Sequence, residues 1–372
     1  MFPPPHSLNA MIAEMTSDPS IVADIPTLIG ISDTDRLAAG DISQQGGGTE
    51  KMIGVASSLS WQFQFSRGLP PELLSAVFLE YARDSASNVW DATTVPHWVA
   101  VSYVCHYWRN VALHCANLWG SHLFFVSPEW MDELLRRSKN VPLIARVDLR
   151  HSGPRMGSVR SLEKALGDME RIQDLWINCP NDMIKIIQPR LNVAAPLLRS
   201  LYLSSGINLQ DNHFVMNTDT LPGAMPDLRK VYLSVFHVDW SSPMFNGLTE
   251  LTLDYLYNGF IECWSGVLRI LRQLPHLRQL CLDRIVSPNT LFTCAPRNTR
   301  ECISLPHLEK LALAGPISWE VGLLTQLELP KSTIVDLECY YQDPRFISML
   351  LSLIPDQIGN YPPVVKSAQT TI

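Results

Sequence analysis

From residue 69 the chain changes from irregular polar sequence to patterned sequence. LPPELLSAVFLEYARD (69–84) places apolar residues at Leu73, Leu74, Val77, Phe78 and Tyr81. This i, i+1, i+4, i+5, i+8 stripe predicts an amphipathic helix. Pro70 and Pro71 suit its first turn, where backbone N–H groups have no intrahelical partner, and Glu72 complements the positive end of the helix dipole. After a polar stretch at 84–97 comes WVAVSYVCHYWRNVALHCANLW (98–119). There Val101, Val104, Cys105, Trp108, Val111, Ala112 and Cys115 fall on one helical face, with His106, Arg109 and His114 on the polar side and Asn117 near the end. Two helices this short bury little by themselves. They form either a helical cap on the adjoining domain or a docking module whose apolar face a second protein completes.

Beyond residue 140 the pattern becomes Φ-x-x-Φ-x-Φ, with Φ apolar. It occurs at 144–149, 172–177, 198–203, 228–233, 248–253, 277–282, 308–313 and 334–339, with start-to-start spacings of 28, 26, 30, 20, 29, 31 and 26. Alternation within each hexamer predicts one strand per repeat. Helical or irregular segments lie between them. VRSLEKALGDME (159–170) is one, and FIECWSGVLRILRQL (260–274) is another, with Ile261, Trp264, Val267, Leu268 and Leu271 on one face. Pro196, Pro226, Pro275 and Pro306 each stand just before a strand, where proline ends a helix or fixes a turn. The expected fold class is α/β: a small helical module, then a solenoid with strands in a parallel sheet on its concave side and helices or loops outside.

In each hexamer the residue between the last two Φ positions points away from the core. These residues are Asp148, Trp176, Tyr202, Tyr232, Thr252, Cys281, Ala312 and Glu338. Trp176, Tyr202 and Tyr232 fall in three consecutive repeats and predict an aromatic strip, beside Lys230, Asp254, Asp283 and Asp336. Aromatic residues among polar ones suit a protein-binding surface.

Residues 1–60 lack sustained periodicity and are rich in Pro, Ser, Thr, Asp and Gly, so they are expected to be disordered. GGGTEK (46–51) lacks the spacing of a phosphate loop, and Trp61, Phe63 and Phe65 alternate as a short strand or a binding stub would. The chain of 372 residues is 46% hydrophobic with a formal net charge of −7, which does not favour a nucleic-acid partner. The densest basic cluster, Arg136, Arg137 and Lys139, fits a solvated helix end. No run approaches the ~18–20 apolar residues of a membrane span, and MFPPPHSLNA has no secretory-signal pattern. The eight cysteines form no CxxC and read as reduced thiols, which places the chain in the cytoplasm or nucleus. There is no HExxH, GxSxG or GxGxxG, and the ten histidines are scattered, so no catalytic, cofactor or metal site is expected.

LPPELL (69–74), VSYVCHYWRNVA (101–112) and LW (118–119), in that order, resemble an F-box of the kind abundant in fungi. The loop at 84–97 is longer and more polar than that motif needs. The hexamers resemble degenerate leucine-rich repeats, such as follow many F-boxes. The Asn or Cys expected after each LxL is missing: Ser152, Pro180, Gly206, Phe236, Leu256, Ile285, Pro316 and Gln342 stand there.

After the segment 1–60 that composition marks as disordered, the resemblance implies an F-box-like module 67–125, repeats over 140–355 and a tail 356–372. It implies docking to a Skp-type adaptor, and through it to a cullin, by Leu69, Pro70, Leu73, Leu74, Val77, Val104 and Trp119. Cys105 and Trp108 match positions that hold the module together; spacing alone does not divide core from interface. Trp176, Tyr202, Tyr232, Lys230, Asp254 and Asp283 would meet an unknown target protein. The implied function is substrate recognition for an SCF-type ubiquitin ligase, without catalysis, nucleic acid or membrane. The alternative is a repeat scaffold outside the ubiquitin system, with F-box-like helices as its cap.

Overall fold

A computed structural model of the chain describes residues 69–86, 97–121, 123, 128–149, 156–205, 215–216, 225–234, 237–255, 260–285, 302–340 and 364–367. The polar start at 1–60, with GGGTEK, the Trp61–Phe65 alternation and the segment 87–96 lie outside these residues. The chain divides into two compact units, residues 1–122 with 133–141 and residues 123–132 with 142–372.

The first unit is helical. Its helix α1 spans Pro71–Ala86. Leu74, Phe78 and Ala82, spaced i, i+4, i+8, have no exposed surface and define its inner face. The helix expected across 98–119 is broken twice. His97–Tyr103 winds as a 3-10 helix, α2 spans His106–His114, and α3 spans Ala116–Gly120. Cys105 is extended at φ −161°, and its Sγ accepts the Trp108 backbone N–H at 3.4 Å, capping α2. Cys115 closes the other end, its N–H donating to Val111 O and Ala112 O. The breaks decide the packing. A straight helix would hold Trp98 and Trp119 roughly 30 Å apart at ~1.5 Å per residue. Here their rings meet edge to face at 5.2 Å.

The second unit is built on a parallel sheet with helices. Helix α4 (Pro128–Ser138) precedes it and has residues in both units. The strands are β1 (Leu143–Asp148), β2 (Ile172–Cys179), β3 (Ser200–Ser205), β4 (Lys230–Ser234), β5 (Glu250–Asp254), β6 (Gln279–Asp283), β7 (Lys310–Pro316), β8 (Ile334–Tyr340) and β9 (Val364–Ser367). Every pair is parallel, and the order across the nine-stranded sheet is the order in the sequence. The first eight are the strands the hexamers predict; the ninth comes from the segment expected to be a tail. Helices α5 (Met156–Gly167), α6 (Asn181–Leu191), α7 (Phe260–Arg272) and α8 (Ile317–Leu324) lie in four of the crossovers.

In-register pairing stacks like on like. Leu175, Leu201, Val231, Leu251, Leu280 and Leu311 form one buried row, and Ile177, Leu203, Leu233, Leu253, Leu282 and Leu313 the next. The prolines set this register. In the turns at Pro196, Pro226, Pro275 and Pro306, the leucine two residues on donates its N–H to the residue before the proline, at 3.1–3.2 Å. The next carbonyls (Arg199, Arg229, Thr249, Arg278) each accept two N–H groups from the following repeat. These bonds satisfy backbone groups at the strand starts. At the strand ends, Tyr255 N–H reaches Asp283 O and Arg284 N–H reaches Ala314 O. Tyr255 and Arg284 both hold φ 48° to do so, a left-handed conformation that costs a non-glycine residue about 1–2 kcal/mol.

Helix α7 buries Val267, Ile270 and Leu271, with Leu274 buried just beyond its end, while Trp264 and Leu268 keep some exposure; the inner face is rotated from the one expected. Gly266 lies against Trp240, whose indole would come within 2.2 Å of an added Cβ. Gly266→Ala is therefore expected to destabilise by about 1–3 kcal/mol through overpacking, read as a lower urea midpoint.

Candidate binding surfaces

Helix α1 carries two apolar stripes with different fates. Leu74, Phe78 and Ala82 are core, and the Phe78 ring lies 5.2 Å from that of Trp108. One residue before Leu74 and Phe78, Leu73 is 55% exposed and Val77 46% exposed. Pro70 and Ala76 are exposed with them, while Leu69 and Val104 are half-buried. The Leu69 carbonyl is tied down by the Tyr107 hydroxyl at 2.6 Å, fixing the entry to α1.

Two residues expected at the adaptor surface are corrected. Leu74 is fully buried and Trp119 is 2% exposed, so neither offers surface to a partner. Leu74 sits on the inner i, i+4 stripe, and the Trp119 indole N–H donates to Ala112 O at 2.8 Å. Of the two positions expected in the core, Trp108 is buried and Cys105 is a half-buried helix cap. The basic cluster is engaged within the unit. Glu133 takes hydrogen bonds from Arg136 and Arg137, which hold its carboxyl below the usual range. The Arg137 guanidinium lies 4.7 Å over the Trp119 ring, so it is not simply a solvated helix end.

The second surface is the face of the sheet opposite the leucine rows. Three rows cross it. The first includes Ser200, Lys230, Glu250, Gln279 and Lys310. The second runs Arg146, Trp176, Tyr202, Tyr232, Thr252, Cys281, Ala312, Asp336. The third runs Asp148, Asn178, Ser204, Ser234, Asp254, Asp283, Ala314, Glu338. Asp148 and Glu338 therefore leave the row they were expected to share with Trp176, and Arg146 and Asp336 replace them. The pattern fits frames two residues apart equally well, because a shift of two preserves inside and outside.

Trp176, Tyr202 and Tyr232 do come together. Trp176 and Tyr202 stack at 4.6 Å and 20°, and Tyr202 and Tyr232 at 4.0 Å and 8°. Such stacking follows from parallel strands in register about 4.8 Å apart. The Tyr232 hydroxyl donates to Asp254 Oδ2 at 3.4 Å, and Ser234 Oγ donates to the same oxygen at 3.0 Å. Burial, then Tyr202 and Asp254, push the Tyr232 phenol well above its ordinary range. Lys230 stands in the first row, apart from the acidic residues of the third, and pairs with Glu250 at 2.7 Å. Asp254 and Asp283 are adjacent across the sheet and share Arg284, whose Nη2 lies 3.3 Å and 2.8 Å from their carboxylates.

Sequence reasoning missed Asn178, Ser234 and Arg284, and placed Glu338 one row away. The available signal was their common place at or just beyond the strand ends, two residues past the aromatic row. Burial pushes the Cys179 thiol up to about 12 and that of Cys281 up to about 11; both stay protonated at neutral pH, unlike an activated nucleophile. Among the described residues there is no group of three or more His, Cys, Asp or Glu able to hold a metal ion, and no helix is long and apolar enough to cross a membrane. No family model matches the chain, and no curated protein or solved structure matches it.

Proposed function

We propose that the chain is an F-box substrate-recognition subunit of an SCF-type ubiquitin ligase, joining a Skp-type adaptor to a target protein. The observation that carries this reading is the split of α1: one stripe closes a core with α2, while Leu73 and Val77 stay open beside Pro70. A short helix that leaves large aliphatic side chains in water at i and i+4 is suited to lying in a partner's apolar groove. The resemblance of LPPELL and VSYVCHYWRNVA to an F-box names that partner as a Skp-type adaptor. Leu69, Pro70, Leu73, Val77 and Val104 make the contact in this reading. Leu74, Trp108 and Trp119 support them from below.

The second half of the reading is a leucine-rich-repeat solenoid. It is supported by a parallel sheet whose strands follow sequence order and by proline turns at the same point of four of the repeats. The target lies on the face carrying Trp176, Tyr202 and Tyr232. Catalysis belongs to the conjugating enzyme, and this subunit contributes proximity.

Leu73→Asp with Val77→Asp tests the reading. Capture by a purified Skp-type adaptor should be abolished, while the thermal melt stays within about 0.5 kcal/mol of the parent because both side chains are exposed. Retained capture by the double variant would overturn the assignment of the surface.

A further inference from the structure

We propose that the sheet face between Trp176 and Asp283 takes an extended, arginine- or lysine-bearing segment of the target protein. This rests on the target-binding reading above and adds the charge and shape of what is bound. The span from β2 to β6 is four strand spacings, roughly 19 Å, or the reach of about six extended residues. Along it the second row supplies aromatic faces and the third row supplies acceptors.

The acceptors are unsatisfied at both ends. Asn178 is 3% exposed and its Oδ1 has no hydrogen-bond partner. Asp283 Oδ1, three strands beyond the Ser204 that neighbours Asn178, is also buried without one. A buried acceptor without a donor is destabilising, and a donor admitted to it would recover that loss. Both orphaned atoms in these rows accept, and the orphaned donor beside them, Arg284 Nε, lies just beyond the third row. Charge points the same way. Asp254, Asp283 and Glu338 share the third row. Among the described residues the cations on this face include Arg284, which already serves two of these acids, Lys310, which lies 3.6 Å from Asp336, Lys230, which pairs with Glu250 in the first row, and Arg146, beside Trp176 at the far edge. Burial, reinforced by Asp254 and Glu338 against the opposing pull of Arg284, raises Asp283 to about 6.

The chain itself displays the recognition chemistry. The Arg284 guanidinium lies 3.9 Å over the Tyr255 ring while it donates to Asp254 and Asp283. Tyr232 beside Asp254 presents the same combination of aromatic face and carboxylate, one strand nearer the ladder. A second guanidinium or an ammonium stacked there would reach acceptors that Arg284 leaves open.

The test uses the full chain and an array of immobilised eight-residue peptides in three matched sets: arginine-bearing, the same sequences with neutral citrulline, and the same sequences with glutamate. The arginine set should be retained, the citrulline set held at least about tenfold more weakly, and the glutamate set not at all. Asp283→Asn, which keeps the shape of the side chain, should weaken arginine-peptide binding by a similar factor while the chain still unfolds cooperatively. Tyr202→Ala should do the same through the ladder. Equal or better binding of neutral or acidic peptides, or indifference to Asp283→Asn, would overturn the charge assignment and leave the target-binding reading standing. Retention of no peptide of any charge would overturn both.

Discussion

Replacing Trp119 by alanine is expected to lower the unfolding free energy by about 3–5 kcal/mol, and Leu74→Ala by about 2–5 kcal/mol. Trp119 meets Trp98 edge to face, donates to Ala112 O and carries the Arg137 guanidinium on its ring. Its loss removes a large buried area, an internal hydrogen bond and a cation–π contact together. Leu73→Ala and Val77→Ala, on the same helix as Leu74, are expected to stay within about 0.5 kcal/mol of the parent, because their side chains already face water. Urea midpoints for the four variants check this. Similar losses at Leu73 and Leu74 would contradict the division of α1 into a core stripe and an open stripe.

A second large effect concerns pH. Stability is expected to fall as pH rises from about 4.5 to about 8, and Glu320→Gln is expected to remove the upper part of that fall. Glu320 lies in α8 with no exposed surface. Burial raises its carboxyl to about 8, against the hydrogen bond that the Cys339 thiol donates to Oε2 at 2.8 Å and one from the Gly315 backbone. Its Oε1 has no hydrogen-bond partner. The folded chain therefore holds this proton more tightly than the unfolded chain, whose glutamates titrate near 4.5. The stabilising contribution is complete below about 4.5 and is lost as pH climbs through about 8. Each unit of displacement corresponds to about 1.4 kcal/mol. Asp283, raised to about 6, contributes with the same sign over a lower range, so the slope between about pH 6 and 8 is the part Glu320 owns. Urea midpoints across pH 4.5–8 measure it. A flat profile for the parent, or an unchanged slope in Glu320→Gln, would contradict the burial of an ionisable carboxyl.

Much of the sheet was legible because its rules are local. The Φ-x-x-Φ-x-Φ hexamers located eight strands, since alternation and spacing are written directly in the chain. Proline before each of four strands marked the turns that set the register. The ninth strand, Val364–Ser367, was not legible: its four residues carry no hexamer and pair only because β8 offers an edge. The end rows slipped by two residues, because inside and outside survive such a shift and only backbone pairing distinguishes the frames.

In the helical unit, periodicity found the apolar residues and missed the breaks. Cys105 and Cys115 fit the stripe of one long helix, yet both are caps, and tertiary packing of three tryptophans overrides the continuous pattern. For the same reason spacing could not separate Leu73 from Leu74. Adjacent residues on a wide stripe differ in fate only through what α2 covers. In the candidate target site the aromatic ladder was readable from alternation. The orphaned oxygens of Asn178 and Asp283 were not, because lack of a partner is a property of packing.

Hydrogen–deuterium exchange of the intact chain, with and without a purified Skp-type adaptor, tests the docking surface most directly. Protection is expected to concentrate over Pro70–Glu80, where the exposed Leu73 and Val77 leave water on binding, and around the half-buried Val104, with the sheet strands unchanged. Stoichiometric adaptor that leaves exchange in α1 unaltered would contradict the account.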